Sequence, residues 1–314
     1  MPRIVYFAFP GGVQGGVKMI LRHVETLREL GFDAVCYLGA GNRPPDWFEH
    51  RAPIEVGAPV RPDDILVFPD DAHEALKVAA TAPSRTIVFS QNPYYFAAVG
   101  FEALERFPPE RLPVFIAVGQ QLAAFVRRAF PQARVEVVPC FADERVFRPG
   151  CEKRDVVAYA PRKRPLEADA IRGMFRRLHP EHAGLGWTRV QDATERQVAD
   201  AFGGARLFLS LSRLESVGMT PLEAMAAGCV CAGFVGVGGR EYATDDNGFW
   251  APDEDCEAAA DALARAADLV RTGGQGLAHV IEAGRETARR WSYAAFRARL
   301  EEVWSRLAPE ARTL

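Results

Sequence analysis

Short apolar runs alternate with helical periodicity along most of the chain. Residues 3–9 (RIVYFAF) form a continuous apolar run of strand length and read as a buried strand. A glycine-rich turn follows, Gly11-Gly12-Val13-Gln14-Gly15-Gly16. Val17, Ile20, Leu21, Val24 and Leu27 then recur at the spacing of one helix face, and Gly31 supplies the stop. Strand-length runs return at 33–38, 64–68, 86–90, 113–118 and 135–138, with helical patterns over 72–81 and 119–129. Strands alternating with helices predict parallel β-α units.

Residues 139–155 (PCFADERVFRPGCEKRD) interrupt this rhythm with Pro139, Pro149 and Gly150. The alternation then restarts, with strands expected at 156–160, 206–211 and 229–235. Helices are expected at 167–178, 221–227, 256–271 and about 286–306. The expectation is α/β: two Rossmann-like domains, 1–148 and 149–290, facing across a cleft. A C-terminal helix from about 290 to 314 is expected to pack back on the first domain. Ligands of such sheets bind at the carboxyl ends of the strands.

Composition narrows the function classes. The chain has 314 residues with 48% hydrophobic and 25% charged, ordinary for a globular protein. A formal net charge of -3 gives no basic excess for nucleic acid. No run of 18 apolar residues is present to span a membrane. The six cysteines, Cys36, Cys140, Cys151, Cys229, Cys231 and Cys256, form no C-x-x-C pair. They read as free thiols in a reducing compartment, without a structural metal. Four of the 38 basic residues are lysines, which sets Lys163 apart within Arg162-Lys163-Arg164.

The densest chemistry lies in residues 206–228 (RLFLSLSRLESVGMTPLEAMAAG). A strand ends near Leu211, a loop carries Glu215 and Gly218, and a helix is expected to start at Pro221. A helix N-terminus after a glycine-bearing loop presents free N–H groups and partial positive charge, which suits phosphate. Glu215 and Glu223 flank it and suit sugar hydroxyls. A plainer reading also stands: Thr220-Pro221-Leu222-Glu223 fits a capping box, and Glu215 fits a solvated loop charge.

Glu215 through Glu223 resembles the E-x7-E signature of retaining GT-B glycosyltransferases, especially family 4. Ala224-Met225-Ala226-Ala227-Gly228-Cys229, Gly238-Gly239-Arg240-Glu241 and Asn247-Gly248-Phe249-Trp250-Ala251-Pro252 resemble further stretches of that family, in its order. The resemblance is strongest over 187–265. It implies Glu223 as the ribose ligand, Glu215 as the donor-sugar ligand, and Gly218, Met219 and Thr220 along the phosphates and sugar. Val190 is the implied contact to the base.

Arg162 and Lys163 follow a strand end and could stabilise a departing pyrophosphate. The alternative is a solvated basic turn. The family usually separates its arginine and lysine by several residues, whereas here they are adjacent. Gly15 and Gly16 resemble the glycine loop near the donor phosphates, with Gln14 on the acceptor side; the alternative is a mere tight turn. Gln91 and Asn92 stand where the family often has a histidine, and are assigned to the acceptor side. Tyr94 and Tyr95 suit either acceptor stacking or core packing. Asp253-Glu254-Asp255 matches a bare D-x-D metal string, but its place before a helix favours a dipole role.

The resemblance thus implies a retaining glycosyltransferase needing neither metal nor cofactor. It would move sugar from a nucleotide-diphosphate sugar to a glycan, lipid-linked or small-molecule acceptor, as in polysaccharide biosynthesis. A sugar-nucleotide epimerase, a phosphorylase and a non-catalytic nucleotide-sugar-binding scaffold remain as alternatives. No nucleic-acid partner is expected, and the expected setting is cytoplasmic. Arg127-Arg128 and Arg176-Arg177 suit either the cytoplasmic membrane face or a solvated surface.

Overall fold

The computed structural model describes residues 1–11, 15–150 and 152–313. The chain divides into two compact units, Met1–Cys140 with Phe296–Leu314, and Phe141–Ala295. The sequence pattern predicts these divisions at 148/149 and about 290.

The first unit contains β1 (Ile4–Ala8), α1 (Gly15–Glu29), β2 (Ala34–Leu38), β3 (Ile54–Val56), β4 (Ile65–Pro69), α2 (His73–Ala79) and β5 (Arg85–Ser90). It continues through α3 (Pro93–Tyr95), a π-helical turn (Phe96–Gly100), α4 (Phe101–Leu104), β6 (Val114–Ala117), α5 (Gln120–Ala129) and β7 (Val135–Val137). Its seven strands run parallel in the order β3-β2-β1-β4-β5-β6-β7. All five residues of β1 are buried, as a strand covered on both faces requires.

The second unit contains β8 (Arg154–Tyr159), α6 (Pro165–Leu178), β9 (Gly186–Arg189), α7 (Glu195–Gly204), β10 (Ala205–Leu211) and α8 (Met219–Ala226). Then come β11 (Val230–Phe234), α9 (Gly236–Gly239), β12 (Gly248–Ala251), α10 (Cys256–Thr272) and α11 (Gly274–Arg290). Helix α12 (Tyr293–Leu307) follows across the unit division. The five parallel strands lie in the order β12-β11-β10-β8-β9. Ile171 and Phe175 of α6 and the alanine-rich face of α10 share a buried core with Val157, Leu207, Leu209 and Phe234 of the sheet. Small side chains on α10 let a long helix lie close against the strands.

Two helical expectations change. The segment expected as one helix over 286–306 is two helices broken at Trp291-Ser292. The Trp291 carbonyl accepts from Ala142 N at 2.8 Å. Glu144 accepts from Tyr293 N at 2.6 Å and Ala294 N at 3.2 Å, satisfying donors that open α12. Helix α8 begins at Met219 rather than Pro221. Its cap is Gly218, at φ 77°, with no side-chain capping bond, so the capping box expected at Thr220 does not form. Pro221 stays tolerated because the first four N–H groups of a helix lack intrahelical partners.

Candidate donor pocket

The sheet order of the second unit fixes where a site can form. From β8 the chain passes to β9 on one side, then crosses back to β10 on the other. Loops leaving β8 and β10 therefore diverge, and a crevice opens between their carboxyl ends. A pocket of about 70 Å³ lies there, lined by Ala160, Arg162, Lys163, Ser210, Ser212, Glu215, Thr220 and Pro221, with Phe208 and Leu211.

Each wall has a local cause. Residues 161–164 close a turn through Arg164 N donating to Pro161 O at 2.8 Å. The two tip residues, Arg162 and Lys163, stay exposed while Pro161 and Arg164 are buried. Glu215 rides on the loop between β10 and α8. Gly218 lies beneath it, where an added Cβ would stand 3.0 Å from Glu215 Oε2 and its positive φ would disfavour any other residue. Tyr242 Oη donates to Gly218 O at 2.8 Å and fixes this entry to α8. A Cβ at Gly238 would overlap the backbone of Ser216 and Val217, so α9 can lie directly against the Glu215 loop. Lys163 Nζ donates to Glu215 Oε1 at 2.6 Å.

The described residues singled out in the sequence fall into four groups. Arg162, Lys163, Glu215 and Thr220 line the pocket. Gly218 and Met219 form the entry to α8, and Glu223 is buried on that helix. Val190 is buried just beyond β9, its N–H donating to Tyr159 O at 2.8 Å. Gly15, Gly16, Gln91 and Asn92 lie in the first unit, where Gln91 Nε2 donates to Gly16 O at 3.0 Å. Gln14 lies outside the described residues.

In that first unit, Asp70 Oδ2 accepts from Ser90 Oγ at 3.0 Å, Gln91 N at 2.8 Å and Asn92 N at 3.1 Å. Asn92 Oδ1 in turn accepts from Tyr94 N at 2.9 Å, opening α3. Burial pushes the Asp70 carboxyl up to about 7, against the opposing pull of these hydrogen bonds. Sequence reading passed over Asp70, although its place at the end of an apolar strand is a visible signal. It also passed over the pocket serines, Ser210 and Ser212, which look like ordinary strand-end residues.

Asp253-Glu254-Asp255 divides its work. Asp255 caps α10 by accepting from Ala258 N at 2.9 Å, the dipole role expected. Asp253 accepts from Gly236 N at 3.2 Å, and Glu254 pairs with Arg164 at 2.9 Å. Among the described residues no cluster of three or more His, Cys, Asp or Glu side chains is arranged to hold a metal ion. Among them, too, no helix is long and apolar enough to cross a membrane.

Residues 188–287 match the family of glycosyl transferases group 1. An alpha-1,6-glucosyltransferase of Actinobacillus pleuropneumoniae serotype 7 is 28% identical, over 78% of each chain. Sucrose-phosphate synthase from Thermosynechococcus elongatus is similar in structure with a TM-score of 0.72 and 15% identity, covering 99% of this chain and 100% of that one. HepE of Anabaena in complex with UDP-glucose is similar with a TM-score of 0.67 and 13% identity, over 97% and 99%. The fold is that of GT-B glycosyltransferases, with two Rossmann-like domains. The family match spans most of the pocket-bearing unit and, with the fold, supports a glycosyltransferase of GT-B architecture.

Proposed function

We propose that the protein is a retaining, metal-independent glycosyltransferase of the family 4 type. It moves a sugar from a nucleotide-diphosphate sugar to a glycan, lipid-linked or small-molecule acceptor. The observation that carries this reading is the meeting of Lys163, Arg162, Glu215 and the first turn of α8 in one pocket at the β8/β10 divergence. A glucosyl donor with UDP is the first choice, since the similar Anabaena protein was solved with UDP-glucose and the Actinobacillus relative is a glucosyltransferase.

In this reading the diphosphate sits at the opening of α8, where N–H groups and the helix dipole favour anions. Arg162 and Lys163 stabilise the charge that grows on the leaving phosphate, supplying by side chains the role a cation would otherwise take. Glu215 holds sugar hydroxyls and Glu223 the ribose. The departing phosphate takes the acceptor proton on the same face that the new bond forms, which retains anomeric configuration. The E-x7-E spacing of Glu215 and Glu223 supports this reading.

The test is release of UDP from UDP-glucose by the purified chain, with and without EDTA, and the anomeric configuration of the product by NMR. Release that survives EDTA and yields α-glucose, the sugar passing to water and its anomer being read before mutarotation, bears the reading out. An inverted product or strict dependence on added Mg²⁺ overturns the corresponding half of it. If Lys163→Ala and Glu215→Ala turn over a donor as fast as the parent, the site assignment fails.

A further inference from the structure

The geometry points to Arg164 as a positioning residue: its guanidinium ties together the strand-end loops that carry Lys163 and Glu215, without itself meeting the donor. This rests on the glycosyl-transfer reading above and concerns the same site.

The stretch Arg162-Lys163-Arg164 looks like three equivalent solvated cations, yet the third is 1% exposed. Arginine is almost never that deeply buried without partners. Arg164 Nε donates to the Ser212 carbonyl at 3.2 Å, at the start of the loop that leads to Glu215. Its Nη2 stands 2.9 Å from Glu254 Oε1, in the loop between β12 and α10. The guanidinium plane lies over the Phe234 ring, 4.6 Å from its centroid, at the end of β11. Nη1 faces Glu167 in the first turn of α6 at 3.6 Å. Arg164 thus starts on the β8 loop and reaches the carboxyl ends of β10, β11 and β12, which are successive neighbours in the sheet.

The far anchor is itself unusual. Glu254 takes φ 68°, a conformation that residues other than glycine seldom adopt, and it is also approached by Arg213 Nε at 3.6 Å. The flanking Asp253 and Asp255 are each anchored, to Gly236 N at 3.2 Å and Ala258 N at 2.9 Å, so the loop holds Glu254 in this conformation beside Arg164. The planar fork matters, because a lysine could not reach a carbonyl, a carboxylate and an aromatic face together. Lys163 is the residue immediately before this anchor, and Glu215 lies three residues beyond the anchored Ser212. A shift of the tie therefore displaces both members of the Lys163–Glu215 pair at once.

The test compares the parent with Glu254→Gln, Arg164→Lys and the double variant. Glu254 is more than half exposed, so Glu254→Gln is expected to fold like the parent, and thermal melts confirm this. Steady-state UDP-glucose consumption is expected to show kcat lowered about tenfold in both single variants, with KM within about twofold, because misplacement of reacting groups costs rate. The double variant should fall no further than Arg164→Lys, since both changes cut one tie. Unchanged kcat in both single variants, or additive losses, overturns the proposal. Amide hydrogen exchange across residues 212–216 judges the tie without any donor. Faster exchange in both single variants supports it, and unchanged exchange overturns it. A parent that consumes none of UDP-, GDP- or ADP-glucose, while exchange still responds, instead overturns the glycosyl-transfer reading.

Discussion

Lys163 Nζ and Glu215 Oε1 meet at 2.6 Å within the pocket, so the two residues proposed to serve opposite ends of a donor are ion-pair partners of each other. In the proposed reading, a diphosphate entering at α8 would compete with Glu215 for the ammonium, and a sugar hydroxyl would compete with Lys163 for the carboxylate. The two single substitutions should therefore separate. Glu215→Gln frees the lysine and is expected to bind UDP at least as tightly as the parent, while consuming UDP-glucose about 10²-fold more slowly. Lys163→Met should lose both UDP affinity and turnover. Titration calorimetry with UDP beside a UDP-release assay checks this, and weaker UDP binding by Glu215→Gln would contradict it.

Gly218 is a second point of leverage. It holds a left-handed conformation directly under Glu215 and caps α8. Gly218→Ala meets both the backbone preference and the Glu215 carboxylate, and should cost about 1–3 kcal/mol of stability. Because the crowding falls on Glu215, donor turnover should drop by more than the loss of folded protein explains. Urea unfolding and specific activity, measured on the same preparation, separate the two effects.

Asp70 makes stability depend on pH in a defined direction. Its folded-state value is raised to about 7 from an ordinary value of 3.8. Below about pH 4 the carboxyl is protonated in both states and its contribution is fully favourable. As pH rises from about 4 to about 7 the unfolded chain ionises while the folded chain resists, so this contribution is lost. Asp70→Asn cannot ionise. The parent should therefore lose stability relative to this variant by on the order of a few kcal/mol across that window, and the difference should flatten above about pH 7. Denaturant midpoints at pH 4, 5.5, 7 and 8 test the slope; a stability difference that is level from pH 4 to 7 is incompatible with it.

Asn247 is expected to behave as a structural residue although it belongs to the family-like N-G turn. Its Nδ2 donates to Tyr242 O at 2.6 Å and Thr287 Oγ1 at 3.0 Å. Its Oδ1 accepts from Thr244 N at 2.9 Å and Trp250 Nε1 at 3.2 Å. Asn247→Ala strands these groups and should cost about 2–4 kcal/mol. Folded variant at low temperature should keep UDP affinity near that of the parent.

Much of this arrangement is legible in the residues. The apolar runs that become β1, β4, β5 and β10 are buried strands whose composition leaves little choice. The loop carrying Glu215 and Gly218 is visible because its glycine and acids interrupt such a run. Other features are silent for physical reasons. β9 (Gly186–Arg189) has no fully buried residue, so no apolar run marks it. α7 is announced by a Thr194 capping box but has a short apolar face, and sequence reading passed over it. The helical stretch from Pro93 to Leu104 begins at an Asn92 cap whose neighbours looked like the tail of a strand. The break at Trp291 depends on Ala142 and Glu144, distant in sequence, and no local pattern reports it. Arg164 and Arg162 are the same residue type two positions apart, and only the fold distinguishes a buried tie from an exposed tip.

The first unit draws on two stretches of chain separated by the whole of the second. Trp304 is fully buried against Tyr6, and Phe296 lies 5.0 Å from His23. During synthesis, residues 141–295 emerge as an uninterrupted stretch with their own core, while the earlier-made sheet waits with an apolar face uncovered. The second unit, in contrast, is drawn from one uninterrupted stretch of chain. The first unit therefore cannot complete its core until the whole of the second has been synthesised.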